Sequence, residues 1–115
     1  MGELRRLAAA FGALRALHSF DAVHGDARLP NLLDMGGGEL AWIDLRTAAP
    51  TSGEGLAALK RHDAHTLARS ALGLAGSAPL PTAVGAALAG WGEGGCSEEA
   101  AARAVWGAQG RGAVA

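Results

Sequence analysis

Several residue types that most domains use freely are scarce or absent in this sequence. It contains one cysteine, Cys96, one lysine, Lys60, one isoleucine, Ile43, and no tyrosine. A single cysteine can form neither an internal disulfide nor a thiolate cluster around a metal ion, so we expect a reducing compartment inside the cell. No run of apolar residues approaches the ~18 to 20 that a membrane-spanning helix requires. We therefore expect an intracellular and cytoplasmic protein.

The amino-terminal segment leaves a second location open. MGELRRLAAAFGALRALH contains arginine and much alanine but little acid, which is typical of organelle transit peptides. Its serine content is low, however, and its pattern runs directly into the motif described below. Organelle targeting is therefore an alternative to the cytoplasm.

Net charge is also small. The formal net charge is -1 at pH 7 and the sequence pI is near 6.4. This gives no basic field for nucleic acid or for an anionic membrane, so neither is an expected partner. Half of the 115 residues are hydrophobic, which suits one modest core, although much of this fraction is alanine and buries little area. We expect one domain over residues 1–110 and a flexible tail over residues 111–115.

Apolar residues recur at helical spacing in several segments. The first stripe consists of Leu4, Leu7, Phe11, Leu14 and Leu17. This spacing predicts a helix that faces the core and ends near Leu17. Thr51 and Glu54 match a capping box for a helix that carries Leu56 and Leu59. Further helices are predicted in HDAHTLARSALGLAG, TAVGAALAGWG and SEEAAARAVWGAQG.

The last two of these helices carry clear local signals. Trp91 continues the stripe of Val84 and Leu88, so it is predicted to lie on the same helix as those residues. Ser97 precedes two glutamates, and this order is typical of a helix N-cap followed by acidic residues at the positive end of the helix dipole. Both helices are expected to pack on the core.

A β-hairpin is predicted after the first helix. The short apolar runs NLLDM and ELAWIDL flank three consecutive glycines, Gly36, Gly37 and Gly38, which is typical of two antiparallel strands joined by a glycine turn. The predicted fold class is thus mainly α, in the α+β sense, with one short β-hairpin.

Polar residues before and after this hairpin fit the needs of phosphoryl transfer. That chemistry requires a carboxylate near the acceptor hydroxyl and oxygen ligands for a divalent cation on the phosphates. Asp26 suits the first task, whereas Asn31 and Asp44 offer an amide and a carboxylate oxygen, both of which Mg²⁺ accepts. The hairpin is expected to bring Asp44 back beside Asn31, so the three groups are predicted to share one site.

The same residues carry a family resemblance. VHGDARLPNLL followed by AWIDL resembles the catalytic loop and the metal-binding aspartate of the protein-kinase-like superfamily. His-Gly-Asp makes it more similar to aminoglycoside and choline phosphotransferases than to ordinary protein kinases, which have His-Arg-Asp. The resemblance implies a kinase-like C-lobe that uses ATP with Mg²⁺. It also implies that Asp26 is the catalytic base and that Asn31 and Asp44 are metal ligands.

Three further residues take roles from this resemblance. It implies that His24 supports the catalytic loop, and that Asp63 is a buried aspartate at the start of a large helix and hydrogen-bonds back to the loop near His24. Arg28 has two interpretations, a contact to the acceptor or a phosphate and a plain surface arginine. His62 and His65 have the spacing of a metal-binding pair, but because no other ligand accompanies them they are predicted to lie on the helix surface or to form local capping contacts. The thiol of Cys96 is expected to be inert.

The sequence also departs from the family pattern. Leu45 and Arg46 stand where protein kinases have Phe-Gly, and neither a glycine-rich strand-turn-strand nor a lysine precedes the loop. The chain therefore resembles a C-lobe. We expect it to bind ATP and a hydroxyl acceptor, either a protein or a small molecule, only when an N-lobe completes it.

Two functions stay open at this point. One is an ATP-dependent phosphotransferase whose isolated C-lobe is inactive. The other is a non-catalytic kinase-like binding module or a truncated gene product. In either case we expect an exposed apolar patch, with Trp42 as a contributor, that binds a protein partner or promotes self-association.

Overall fold

Four α-helices and one antiparallel β-hairpin form the part of the chain that the computed structural model describes, residues 2–37, 39–45, 53–75 and 78–109. The helices are α1 (Gly2–His18), α2 (Gly53–Leu72), α3 (Thr82–Leu88) and α4 (Glu98–Ala108). A single 3-10 turn (Leu29–Asn31) leads into strands β1 (Leu32–Gly36) and β2 (Glu39–Trp42). The expectation of a mainly helical fold with one short hairpin is confirmed. None of these helices is long and apolar enough to cross a membrane.

The core lies where α1 packs against α4 and α2. The predicted stripe of α1 buries Phe11 and Leu14 completely, and α4 faces it with small residues that allow the helices to approach closely. Trp91 packs edge-on against Phe11, with ring centroids 5.6 Å apart. Arg15 on α1 lies over the Trp91 ring at 4.7 Å and forms an ion pair with Glu98 at 2.9 Å. The carboxyl-terminal residues therefore complete the core around α1.

α2 is one continuous helix, which corrects the placement of Asp63. The resemblance implies that Asp63 opens a helix, but it lies ten residues inside α2 (Gly53–Leu72). The segment before it, LAALKRH, consists mainly of strong helix formers and contains no glycine or proline, so nothing ends the helix there. Thr51 and the Glu54 side chain fall outside the described part of the chain, and so does their predicted capping box.

The segment after α3 differs from the predicted helix. α3 ends at Leu88, and Trp91 lies in the turns that follow, although it is buried as a core residue. At Gly90 an added Cβ would come within 2.9 Å of the Gly95 backbone, so this crossing of two chain segments requires glycine. The N-cap of α4 is confirmed, since the Ala100 amide donates to Ser97 Oγ at 3.1 Å.

The hairpin has one face toward α1 and one toward solvent. Leu32 pairs with Trp42 and Leu33 with Ala41, and the register shifts between Asp34 and Gly36. The exposed side, called here the outer hairpin face, consists of Leu33, Met35 and Ile43, which are 42%, 62% and 40% exposed.

The position of Trp42 corrects the expectation that it contributes to an exposed patch. It is half-buried and packs on the His24 ring, with a centroid distance of 5.0 Å. Because side chains alternate along a strand, Trp42 and its neighbour Ile43 face opposite sides, so Ile43 is exposed where Trp42 is covered.

Candidate functional site

The predicted motif occupies the connection between α1 and the hairpin. α1 ends at His18, and the chain turns at Asp21, which has a left-handed φ of 58°. Residues 22–28, called here the HGD loop, then lead to the 3-10 turn before β1. Gly25 has a φ of 91°, a conformation that favours glycine over other residues. The glycine between His24 and Asp26 therefore allows the backbone to turn at that point of the loop.

Asp63 holds the HGD loop through its backbone. One carboxylate oxygen, Oδ2, accepts a hydrogen bond from the His24 amide at 2.6 Å, and Oδ1 accepts one from the Gly25 amide at 3.0 Å. Only 1% of Asp63 is exposed. The hydrogen bonds expected from the sequence are thus present, although they come from the middle of α2 and not from its start.

His18 also contacts Asp63, and sequence reasoning missed it. His18 Nε2 lies 2.9 Å from Asp63 Oδ2, and the Trp91 indole donates from Nε1 to His18 Nδ1 at 3.0 Å. Because Nδ1 accepts a hydrogen bond, the proton of a neutral imidazole sits on Nε2 and is donated to Asp63. A signal was available, since His18 follows Leu14 by four residues and so continues the apolar stripe of α1.

These donors decide the ionisation of Asp63. Burial by itself would raise the pKa of its carboxyl group. The hydrogen bond from His18 and those from the His24 and Gly25 backbone outweigh burial, and they hold the pKa of Asp63 below its ordinary value. Asp63 is therefore a buried carboxylate that is ionised and has a donor on each oxygen.

His24 connects the HGD loop to the end of β2. Its side chain is fully buried; Nδ1 accepts from the Asp26 amide at 2.9 Å, and Nε2 donates to the Ile43 carbonyl at 2.7 Å. A carbonyl can only accept, so Nε2 carries the proton and the imidazole is neutral. One side chain thus fixes the backbone at Asp26 and at the residue that precedes Asp44.

Asn31 lies directly against Asp26. The side-chain Nδ2 of Asn31 donates to the backbone carbonyl of Asp26 at 2.9 Å and to Asp26 Oδ2 at 3.1 Å. The backbone carbonyl of Asn31 accepts from the Ile43 amide at 2.8 Å. Asp44 follows Ile43, is exposed and has a left-handed φ of 59°. The structure therefore places the side chains of Asp26 and Asn31 in contact and the backbone of Asp44 next to Asn31.

Arg28 covers the carboxylate of Asp26. Its Nε donates to Oδ1 at 2.8 Å and its Nη2 donates to Oδ2 at 3.1 Å, which is a two-point contact. The hydrogen bond and the charge of Asp26 raise the pKa of Arg28, and the charge of Asp44 adds to this. Arg28 is thus bound to the predicted base, and Asp44 lies near enough for its charge to act on the guanidinium.

Three other titratable residues, His62, His65 and Cys96, lie outside this cluster. His62 is exposed and His65 half-buried, and burial, with a contribution from Arg69, lowers the pKa of His65. Burial also raises the pKa of the Cys96 thiol, which makes the reactive thiolate scarce at neutral pH. No group of three or more His, Cys, Asp or Glu side chains in the described part of the chain could hold a metal ion.

Asn31 and Asp44 are nevertheless a chemically suitable pair for Mg²⁺. Since Asn31 Nδ2 is committed to Asp26, its amide oxygen is the atom that a metal ion would contact. Asp44 would add one exposed carboxylate. Both are hard oxygen ligands, but Mg²⁺ loses water reluctantly and two ligands replace few waters.

Magnesium is therefore expected to bind the chain only weakly in the absence of nucleotide. We expect a Kd of about 1 mM or weaker by calorimetry, because one carboxylate and one amide provide little compensation for dehydration. The Asp44→Asn variant should reduce even this binding, since it removes the charged ligand. Micromolar affinity in the wild type, or affinity that does not change in Asp44→Asn, would contradict the predicted ligand pair.

Comparisons with models of known protein families, with curated proteins and with solved structures found no match for this chain. The kinase-like interpretation therefore depends on the motif residues and on the geometry described above.

Proposed function

We propose that this chain is the catalytic-loop half of a kinase-like phosphotransferase. It acts with a nucleotide-binding N-lobe and transfers the γ-phosphoryl group of Mg·ATP to a hydroxyl acceptor. The observation that carries the proposal is the double hydrogen bond of His24, which ties the Asp26 amide and the Ile43 carbonyl to one imidazole. This contact gathers a candidate base and two candidate metal ligands from both ends of the hairpin.

The three residues have different tasks in the proposed reaction. Asp26 accepts the proton of the acceptor hydroxyl as the hydroxyl oxygen bonds to the γ-phosphorus of ATP, the bond from that phosphorus to the β-phosphate oxygen breaks, and ADP leaves. Asn31 orients Asp26 through Nδ2 and presents its amide oxygen to Mg²⁺, with Asp44 as the charged ligand. The ion, when bound with ATP, neutralises charge on the phosphates.

Arg28 must move before Asp26 can act as a base. Both oxygens of Asp26 accept hydrogen bonds from Arg28, and a carboxylate engaged in this way is a poor proton acceptor. Arg28 is half exposed, with 51% of its side chain accessible, so another anion can reach it from solvent. The resting arrangement is thus inactive until Arg28 exchanges Asp26 for a phosphate or an acceptor group.

The outer hairpin face supports the need for a second lobe. Leu33, Met35 and Ile43 expose apolar side chains beside the candidate metal ligands, and such patches commonly mark interaction surfaces. The same face also favours the second candidate, a binding module without catalysis, because a protein partner could cover it equally well. The Arg28 contact to Asp26 is consistent with that alternative too.

Phosphotransfer by a completed enzyme tests the proposal. The nucleotide-binding lobe of an aminoglycoside phosphotransferase would be fused before Met1, and ATP turnover measured as Mg²⁺ is varied. We expect turnover that chelation of Mg²⁺ abolishes. The Asp44→Asn variant should need about ten- to a hundredfold more Mg²⁺, since a metal ligand loses its charge. Asparagine tolerates a left-handed φ, so this change keeps the local backbone.

Asp34→Asn is the matched control for Asp44→Asn. Asp34 lies on the same hairpin, is exposed, and accepts from the Gly36 amide at 2.9 Å, which asparagine can also do. Its Mg²⁺ dependence should equal that of the wild type. Absence of turnover in a folded fusion that binds ATP would overturn the phosphotransferase and leave the binding module.

A further inference from the structure

A cavity of about 420 Å³ lies beside the HGD loop, between Arg28 and the carboxyl-terminal half of α2. Thr66, Arg69 and Ser70 of α2 line it together with Arg28. The Leu29 amide donates to Ser70 Oγ at 2.9 Å, so the chain segment that carries Arg28 is fixed against α2. The cavity is therefore connected to Asp26 through Arg28, which lines the cavity and is paired with Asp26.

Arg69 supplies the cavity with positive charge, whereas the charge of Arg28 is paired with Asp26 in this structure. The two charged lining residues of the cavity are arginines, and its other polar side chains are hydroxyls. Of the other cations on α2, Lys60 is paired with Asp21 at 3.2 Å and Arg61 with Glu93 at 3.8 Å. Asp63, an acid of the same helix, is buried where it binds the backbone of the HGD loop. Acceptors that carry negative charge would be attracted to such a surface.

The guanidinium of Arg69 is available to pair with an anionic ligand. Its Nε donates to the Ala78 carbonyl at 2.7 Å, which fixes the side chain but leaves its charge uncompensated by that neutral partner. Within the described residues no carboxylate forms an ion pair with Arg69. His65 lies near it, but burial and Arg69 itself lower the pKa of His65, so this imidazole is neutral and does not compete for an anion.

We infer that this cavity binds the phosphoryl acceptor and that the acceptor is a small molecule with a carboxylate or phosphate group. The inference rests on the proposed function and names its substrate class. A volume of about 420 Å³ lies within the range of small-molecule sites. Choline and aminoglycosides are cations, so the two arginines disfavour them.

An anionic acceptor also explains how Asp26 is released. Its charged group pairs with Arg69 and competes with Asp26 for Arg28. As Arg28 turns to the ligand, the carboxylate of Asp26 loses its two-point contact with Arg28, keeps its contact with Asn31 Nδ2, and can accept the proton of the acceptor hydroxyl. The acceptor that fits the cavity thus removes the contact that keeps the base inactive.

Titrations of the full 115-residue chain test the binding step without nucleotide. The probes are glycerol 3-phosphate, glycerate, glycerol and choline, each added at low ionic strength. Binding is measured from the chemical shifts of the backbone amides of the protein. The two anions should shift resonances around Arg69 and Ser70, and glycerol and choline should not. Arg69→Gln should weaken glycerol 3-phosphate binding about tenfold, the loss expected for one charge-assisted contact.

Two further variants serve as a second test of the cavity and as a control. Thr66→Glu places a carboxylate in the cavity wall and should abolish anion binding. Because Thr66 Oγ1 donates within its own helix, to the His62 carbonyl at 3.0 Å, the variant should still fold. Arg103→Gln removes an exposed arginine on α4 and should bind like the wild type. Anion binding that survives both Arg69→Gln and Thr66→Glu, or a choline shift at Arg69, would overturn the inference.

Turnover by the completed enzyme separates this inference from the proposed function. Transfer to glycerate or glycerol 3-phosphate, with loss in Arg69→Gln, is the expected result. Transfer to choline, to an aminoglycoside or to an acidic peptide instead would overturn the small anionic acceptor while the phosphotransferase stands. Anion binding that depends on Arg69, without transfer to any acceptor, would overturn the phosphotransferase and leave an anion site.

Discussion

Asp26→Asn is expected to lower the kcat of the completed enzyme by a factor of about 10² to 10⁴, the usual contribution of a general base. Asparagine has the shape of aspartate and can still accept a hydrogen bond, but it cannot take the proton of the acceptor hydroxyl. The KM for ATP should change far less, because Asp26 is not one of the proposed metal ligands. Initial rates over a range of ATP and acceptor concentrations separate the two effects.

Asp21→Asn is the matched control for this prediction. Asp21 is exposed, lies five residues before Asp26 and adopts a left-handed φ of 58° that asparagine accepts. It should lose only its contact with Lys60, which is 3.2 Å long at the surface. If Asp26→Asn retained the turnover of Asp21→Asn, Asp26 would not be the base and the proposed reaction would be wrong.

Asp63→Asn is expected to lower the free energy of unfolding by about 3 to 5 kcal/mol, a large part of the stability of a small domain. Asp63 accepts from two backbone amides and from His18. The asparagine NH₂ would face one of these donors, and a buried donor would be left without an acceptor. Urea denaturation followed by circular dichroism measures the loss, and a loss below about 1 kcal/mol would contradict the geometry.

The same carboxylate makes stability depend on acid. The pKa of Asp63 is lower in the folded chain, so the unfolded chain binds the proton more readily. The stabilisation is complete above the ordinary pKa, at about pH 4. It is lost as pH falls through the lower folded-state pKa. The free energy of unfolding of the wild type should therefore fall steeply below about pH 4, and that of Asp63→Asn should fall less over the same interval.

Local sequence patterns were sufficient to predict much of the fold. The stripe of α1, the antiparallel hairpin and the N-cap at Ser97 each depend on residues within a few positions of one another, and the described part of the structure has all three. The contacts from the Asp63 carboxylate to the loop backbone at His24 were predicted as well, from a motif resemblance. The first three features are specified by short segments whose physical requirements can be recognised without a fold, whereas the Asp63 contact, which spans 39 residues, could be predicted only through the resemblance.

The missed features depend on contacts between distant segments. Trp91 leaves α3 because two glycine-containing segments cross after Leu88, and no local pattern shows that crossing. His18 could be identified only by its place on an apolar stripe, not by its partners. Trp42 was expected to contribute to an exposed patch but is half-buried, because strand alternation does not state which face of the hairpin meets α1. The contact of Arg28 with Asp26 likewise follows from loop geometry.

The hydrogen bonds that hold the HGD loop also constrain when it can form. His24 and Asp63 are 39 residues apart in the chain, His18 and Asp63 are 45 apart, and His18 and Trp91 are 73 apart. Contacts between such distant residues form only after the intervening chain has paid the entropy of closing a long loop. During synthesis the loop thus stays without its full support until Trp91, 73 residues after His18, has left the ribosome.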